Sequence, residues 1–485
     1  MSAKNLKTGK ILGVFGLLVF GIFLILCGNV NAYSGGSGTC YCGDGTTTSG
    51  GNSTDACVDC SAALNDNTNC ANRVNYVGIV AILNYSGICI ANPAKFTNKT
   101  FDCQGYTIDG IDAYDTYGIY LSGKTGNTIR NCVVTDFQRG IYLHSSSNNN
   151  ITDNTANSNK DDGIHLSSSS NNNLTNNTAT SNKYGGIYLD SSPNNTLTNN
   201  TANNNAHGIH LYSSSNNNTL TNNIANTNIA GIYLQSSSNN NTLTNNTANS
   251  NIWSGISLSS SSNNTLTNST INSNWDTGIS LFTSSNNNLI NNTAKDNWNG
   301  IYLDSSSNNT VTNNTINLNK NGIYIFANSS INNILNNKIS NNIQTGITIS
   351  ICDRWGGCPG GNSNNTIVNN EISNNKIGIY SGASNSTINN NFVCGNIQFD
   401  FYSTNWLSSV GDNNYCGNAG GWNDTNIRGC TNTCKAKDIF DLIEMLEYLS
   451  GEKNLKYPQY CNLDNNDDIN LIDVFTLVDK IVNEG

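Results

Sequence analysis

An all-β chain wound as a three-sided parallel solenoid, followed by a small α-helical domain, is the fold this sequence predicts. Three observations predict it. The tetrapeptide Gly-Ile-X-Leu/Ile begins at Gly118, Gly140, Gly163, Gly186, Gly208, Gly231, Gly255, Gly278, Gly300, Gly322 and Gly346, so it returns every 22 to 24 residues. A unit that short cannot bury a core alone and must stack on its neighbours. Between these landmarks lie short alternating segments such as Thr196-Leu-Thr and Thr201-Ala-Asn, separated by Asn-Asn doublets. After Cys434 the pattern shifts to apolar residues at helical spacing.

The chain has 485 residues, of which 11% are charged and 36% hydrophobic. Disordered chains usually carry high net charge, and this composition does not. A formal net charge of −10 argues against nucleic acid, because phosphates attract basic surfaces. Residues 1–32 read as a signal peptide or N-terminal anchor. Lys4, Lys7 and Lys10 precede the apolar run Ile11 to Leu26, and Val30-Asn31-Ala32 offers a small-residue cleavage site. Cys27 follows Leu26 rather than a small residue, which disfavours a lipoprotein site.

Sixteen cysteines cluster at the two ends of the array and are missing from the central repeats. In an exported chain they read as disulfides that staple those ends, rather than as zinc or redox ligands at Cys57 and Cys60. Cys352 and Cys358 are expected to close an inserted loop, and the tail has Cys434 and Cys461 as a possible pair. Asn-X-Ser/Thr sequons, among them Asn84, Asn98, Asn176 and Asn385, are candidate N-glycosylation sites.

Within one repeat, alternation puts Leu197, Ala202, Ile209 and Leu211 on one side and polar residues on the other. The doublets Asn199-Asn200 and Asn204-Asn205 read as corners, since Asn tolerates a left-handed backbone. Three strands and three corners per repeat make one coil, and the array holds about 13 coils. The expected organisation is a Cys-rich cap over 33–100, repeats over 101–402, a second cap over 403–434 and a helical domain over 435–485.

These repeats resemble the right-handed parallel β-helix repeat family, and within it the NosD-like branch, through Asn-Asn-Thr-Leu-X-Asn-Asn and Gly-Ile-Tyr-Leu. The resemblance implies the fold and, more broadly, carbohydrate binding or processing. The outward residue of each Gly-Ile-X-Leu strand forms a column that includes Tyr142, His165, Tyr188, His210, Tyr233, Tyr302 and Tyr324, beside a second column with Asp190 and Asp304. Such a face could stack sugar rings of a polysaccharide or glycan; the same column could instead be a ladder that stabilises the sheet. A structural surface rod or adhesin is the remaining alternative.

Catalysis is expected to be absent, with a polysaccharide lyase, epimerase or glycosidase as the enzyme alternative. A glycosidase needs two carboxylates about 5–10 Å apart. Asp190 and Asp304 stand five coils apart, roughly 24 Å at the strand spacing. Asp161 and Asp162 read as a solvated corner. The four histidines, His144, His165, His207 and His210, read as column or flanking residues rather than a copper site, which would call for softer partners.

In the tail, oxygen-bearing residues at positions 1, 3, 5, 9 and 12 of Asn462 to Asp473 match a calcium-loop spacing. The following helix makes the segment resemble half of a dockerin. That resemblance implies Ca2+ held by Asn462, Asp464, Asn466, Asp468 through its carbonyl, Asn470 and Asp473, and a cohesin-like partner. Asn at the first position and Asp467 in place of the usual Gly depart from the motif, and Ile427 to Lys435 lacks the ligands of a second loop.

Overall fold

The computed structural model describes residues 33–36, 39–42, 53–65, 76–79, 83–350, 362–383, 385–403, 406, 408–434, 439–451 and 469–484. The signal segment, the Cys352–Cys358 loop, Cys461 and most of the calcium loop (462–468) lie outside them. The chain divides into two compact units, 1–184 and 185–485.

Both units are parallel β-solenoids. In the first, the strands Ile88–Ala91, Tyr117–Ser122, Arg139–His144 and Asp162–Ser167 pair in parallel, with Ile119, Ile141 and Ile164 in register. A second face runs through Thr100–Asp102, Thr128–Arg130, Asn150–Thr152 and Asn173–Thr175. A third stacks Leu83–Asn84, Thr107–Asp109, Val133–Thr135 and Thr155–Asn157. Parallel pairing also joins Thr39–Cys42 to Tyr76–Ile79. The helix Ser53–Asn65 is stapled to the strands beside it by Cys42–Cys60 and Cys57–Cys89, so Cys57 and Cys60 have separate partners. Cys103–Cys132 links adjacent coils.

The second unit repeats the plan from Gly185–Asp190 to Phe399–Tyr402 on the Gly-Ile-X-Leu face, and from Thr196–Thr198 to Val410–Asp412 on the Thr face. Its later coils are stapled by Cys394–Cys434 and Cys416–Cys430. Cys434 therefore pairs with Cys394 and not with Cys461. In the tail, the helices Ile439–Leu449 and Leu471–Glu484 share a small core of Met445, Val474 and Leu477. Among the described residues, no helix is long and apolar enough to cross a membrane.

The inward columns are apolar and fully buried, for example Leu197, Leu220 and Leu243 beside Ile209, Ile232 and Ile256. The landmark glycine, second in its strand, follows from crowding against the next coil. A Cβ on Gly208 would lie 2.6 Å from the Gly231 carbonyl oxygen and 2.7 Å from Asn228 Nδ2. One expected strand is different. Thr201-Ala-Asn contributes only an isolated bridge, Thr201 to Ile224. There the Asn203 side chain accepts the Asn226 N–H at 2.8 Å, and Asn226 accepts that of Asn249 at 2.7 Å. Side-chain oxygens take donors that a backbone ladder would otherwise use.

The Asn doublets divide their work. The first member turns the corner: Asn199, Asn222 and Asn245 each have φ of 55°. The second is buried and bonds along the axis. Asn200 N–H donates to Asn223 Oδ1 at 2.9 Å, and Asn223 N–H to Asn246 Oδ1 at 3.0 Å. Asn223 Nδ2 donates to the Leu197 carbonyl of the preceding coil at 3.0 Å. Equivalent ladders run through Asn218, Asn241 and Asn264, and through Asn228, Asn251 and Asn274. Aspartates end two of them. Asn414 donates to Asp424 through N–H (3.0 Å) and Nδ2 (2.7 Å), and Asn396 Nδ2 donates to Asp400 at 2.9 Å.

Asn223→Ala strands buried backbone groups and should cost about 2–4 kcal/mol. Asn222→Gly, at the exposed left-handed position, should change stability by less than ~1 kcal/mol. Urea unfolding of both variants checks this; equal midpoints would remove the ladder from the account. Burial raises the Asp424 carboxyl, but donors from Asn414, Thr431 and Trp422 outweigh it and hold the group below the usual carboxylate range. A depressed folded pKa contributes stability above the unfolded value of about 3.9, which is lost as pH falls through the folded value. The urea midpoint should therefore drop on acidification below about pH 4, and drop less in Asp424→Asn.

Candidate functional site

The outward column of the Gly-Ile-X-Leu face is in register within each unit. In the first, Tyr120 and Tyr142 lie 5.3 Å apart, tilted by 34°, and Tyr142 lies 4.9 Å from His165, tilted by 59°. In the second, Tyr188, His210 and Tyr233 stack nearly parallel at 5.0 and 4.9 Å, with interplanar angles of 24° and 12°. Stacked in this way, the rings cover one another's faces and turn their edges outward. That is the geometry of a ladder. Ser257 and Ser280 continue the register, followed by Tyr302 and Tyr324.

His165 is not an exposed column residue. It is 5% exposed, and its Nδ1 lies 2.9 Å from the Asp162 carboxylate. Asp162 is likewise buried, at 4% exposure, and is not a solvated corner residue. The physical reason is register: Asp162 begins a strand beside Arg139, whose Nε approaches its carboxylate at 3.6 Å. The Arg139 guanidinium also sits 4.8 Å from the Tyr142 ring centre and 5.9 Å from that of Tyr117. This compact group of one cation, one carboxylate, one imidazole and two phenols was not legible as a unit in the sequence.

The second unit carries a cleft of about 480 Å³. Asp276, Thr277, Trp298, Asn299, Tyr302 and Lys320 line one part of it, and Asn321, Tyr324, Phe326 and Gln344 the rest. Corner length changes along it. Three residues separate the ladder Asn from the landmark Gly at Asn274–Gly278 and at Asn342–Gly346, whereas only two do so at Asn297–Gly300 and Asn319–Gly322. Two long corners thus flank two short ones. The floor is polar and bonded across coils, with Asn321 Nδ2 donating to Asn299 Oδ1 at 2.9 Å. Lys320 Nζ lies 3.3 Å from the centre of the Trp298 ring, a close cation–π contact.

Tyr302 OH donates to Asp304 at 3.3 Å, and Ser305 Oγ donates to the same carboxylate at 2.9 Å. Burial, then Asp304, pushes the Tyr302 phenol up, and burial raises the Asp304 carboxyl. Asp304 is in register with Phe282, six residues beyond Asp276, so those two backbones stand about 20 Å apart along the strand direction. That exceeds the spacing of a glycosidase pair. Of the expected face, the cleft gathers Tyr302 and Tyr324 beside Asp304; Tyr188, His210, Tyr233 and Asp190 lie on earlier coils. Trp298 and Lys320 were missed, although the change in corner length was visible.

Four of the expected calcium ligands, Asn462, Asp464, Asn466 and Asp468, fall outside the described residues. The other two make a helix start. Asn470 Oδ1 accepts the Ile472 N–H at 2.7 Å, and Asp473 Oδ2 accepts the Asn470 N–H at 2.9 Å, a reciprocal cap. Among the described residues, no group of three or more His, Cys, Asp or Glu is placed to hold a metal.

The family model described as "Right handed beta helix region" matches residues 86–248 and 224–351. The one described as "Periplasmic copper-binding protein (NosD)" matches 291–432. That stretch contains neither histidine nor methionine. A search of curated proteins gives no match. Among solved structures, the chain resembles the A-module of mannuronan C-5 epimerase AlgE4 of Azotobacter vinelandii. The TM-score is 0.53 at 16% identity, covering 71% of this chain and 97% of that one. The AlgE6 A-module of the same organism gives 0.51 at 16% identity, covering 75% and 94%. At such identities the likeness is one of fold. The repeats, the three parallel faces and the matched family model agree that the chain belongs to the right-handed parallel β-helix repeat family.

Proposed function

We propose that this protein is an exported β-helix, secreted or held at the cell surface, that binds a glycan in the cleft around Trp298, Tyr302, Tyr324 and Phe326. The carrying observation is the cleft itself: its volume is that of a small-ligand site, and aromatic walls stand over a floor of hydrogen-bonding amides. Sugars present apolar C–H faces and hydroxyl edges, and this lining offers partners for both. The disulfides support an oxidising compartment. Glycan-array binding with the full chain should be lost or weakened at least tenfold in Trp298→Ala and Tyr324→Ala. Tyr188→Ala, in the stacked ladder, should bind like the parent. Binding by all three alike would sink the cleft as the site.

A second reading, polysaccharide processing, has one observation in its favour, the Arg139–Asp162–His165 group. A carboxylate on Nδ1 favours the tautomer with Nε2 as the base, and an adjacent guanidinium suits an acidic sugar. Product release from an acidic polysaccharide, abolished in His165→Gln, would decide for that reading.

For the tail we propose calcium binding and docking to a cohesin-like partner, resting on the loop spacing. Calcium would draw Asp473 from its role in the helix cap. Calorimetric titration of the full chain with Ca2+ should therefore show heat that Asp464→Ala abolishes, and no heat would remove the idea.

A further inference from the structure

Three consecutive coils place a tryptophan on one corner of the second unit. This is the corner between a ladder Asn and the next Gly-Ile-X-Leu strand. Trp253 N–H donates to the Ile229 carbonyl at 2.7 Å, Trp275 N–H to that of Asn251 at 3.0 Å, and the Trp298 carbonyl accepts the Asn321 N–H at 2.9 Å. Asp276 N–H donates to the Trp253 carbonyl at 3.2 Å and Asn299 N–H to that of Asp276 at 3.0 Å, so the three corners follow one another at the strand spacing of about 4.8 Å, with Trp253 opposite Asp276 and one residue beyond the register of Trp275. Trp253 is 58% exposed, Trp275 77% and Trp298 43%. Indoles seldom stand this open on a folded surface, and three in a row need a reason. Unlike Tyr188, His210 and Tyr233, none of the three stacks on another aromatic ring; Lys320 covers one face of Trp298 and leaves the other for a ligand. Trp298 also lines the cleft, so the row leads into it without a break.

We infer that this row is a stacking track for a linear, uncharged polysaccharide, which lies along the solenoid axis and enters the cleft at Trp298. The inference rests on the glycan reading of the cleft and names its ligand class. Shape and charge select the occupant. The track is flanked by Ser250, Ser254 and Ser273 and widened only by the exposed Ile252, so it presents roughly a few hundred Å² of apolar surface, short of the ~800 Å² that a stable protein partner or a second copy covers on each side. The charges beside it, Asp276 and Lys320, are of opposite sign and lie on the same corner, which favours neither an anionic nor a cationic polymer. A chain of pyranose rings repeats along its length with a rise comparable to one coil, so successive rings can meet successive indoles.

The test is a calorimetric series of cello-, manno- and xylo-oligosaccharides, from disaccharide to hexasaccharide, on the full chain. Affinity for the preferred series should rise with length in the parent. In the double variant Trp253→Ala with Trp275→Ala, the hexasaccharide should bind about tenfold more weakly while the disaccharide, held in the cleft, is unchanged. Both residues are exposed, and an unaltered unfolding midpoint will confirm that the variant is folded. Equal hexasaccharide affinity in parent and variant overturns the track and leaves the cleft standing. No binding to any neutral series by the parent overturns the neutral ligand class. Conversion of a parent dimer to monomer by the double variant, read by analytical ultracentrifugation, overturns the track in favour of a second copy.

Discussion

Every coil must turn three corners, and a corner buries backbone N–H and carbonyl groups that no strand can satisfy. The buried asparagine ladders solve this. Each amide takes an N–H from one coil and gives its own protons to neighbouring coils, as Asn223 does between Asn200, Leu197 and Asn246. A hydrophobic core this thin, with Ala202, Ala225 and Ala248 in one column, needs such bonds to hold its corners. Because the ladder repeats, it must also be ended. Asp424 and Asp400 do so by accepting what the last asparagines donate.

This constraint leaves the outside free to vary. The inner residues and the corner amides are prescribed coil by coil, so recognition has to be built from outward positions and from the number of residues allowed in a corner. The cleft is lined that way. The corners before Gly278 and Gly346 hold one residue more than those carrying Trp298 and Lys320, and residues of all four line it. No change to the core is needed. A solenoid can acquire a pocket by altering loop length alone, which is cheap in closure entropy.

Stacking at the strand spacing has two consequences. Where aromatic residues repeat directly above one another on a strand face, as at Tyr188, His210 and Tyr233, the rings consume each other's faces and strengthen the sheet. Where they stand on a corner, as at Trp253 and Trp275, the backbone points them outward and their faces stay open. The same residue type at the same period thus serves stability in one place and exposure in another.

The sequence by itself determined the period, the inward Ile and Leu columns, the corners at Asn199 and Asn204 and the helical tail. Each of these follows from local alternation and from the tolerance of Asn for a left-handed backbone. Even the corner lengths around the cleft could be counted from it. Only the tertiary structure decided which member of an Asn doublet is buried, that Asp162 and His165 meet under Arg139, and that Cys434 reaches Cys394. Those outcomes depend on which residues the coil-to-coil register places side by side. Register is a property of the stack, and no single repeat contains it.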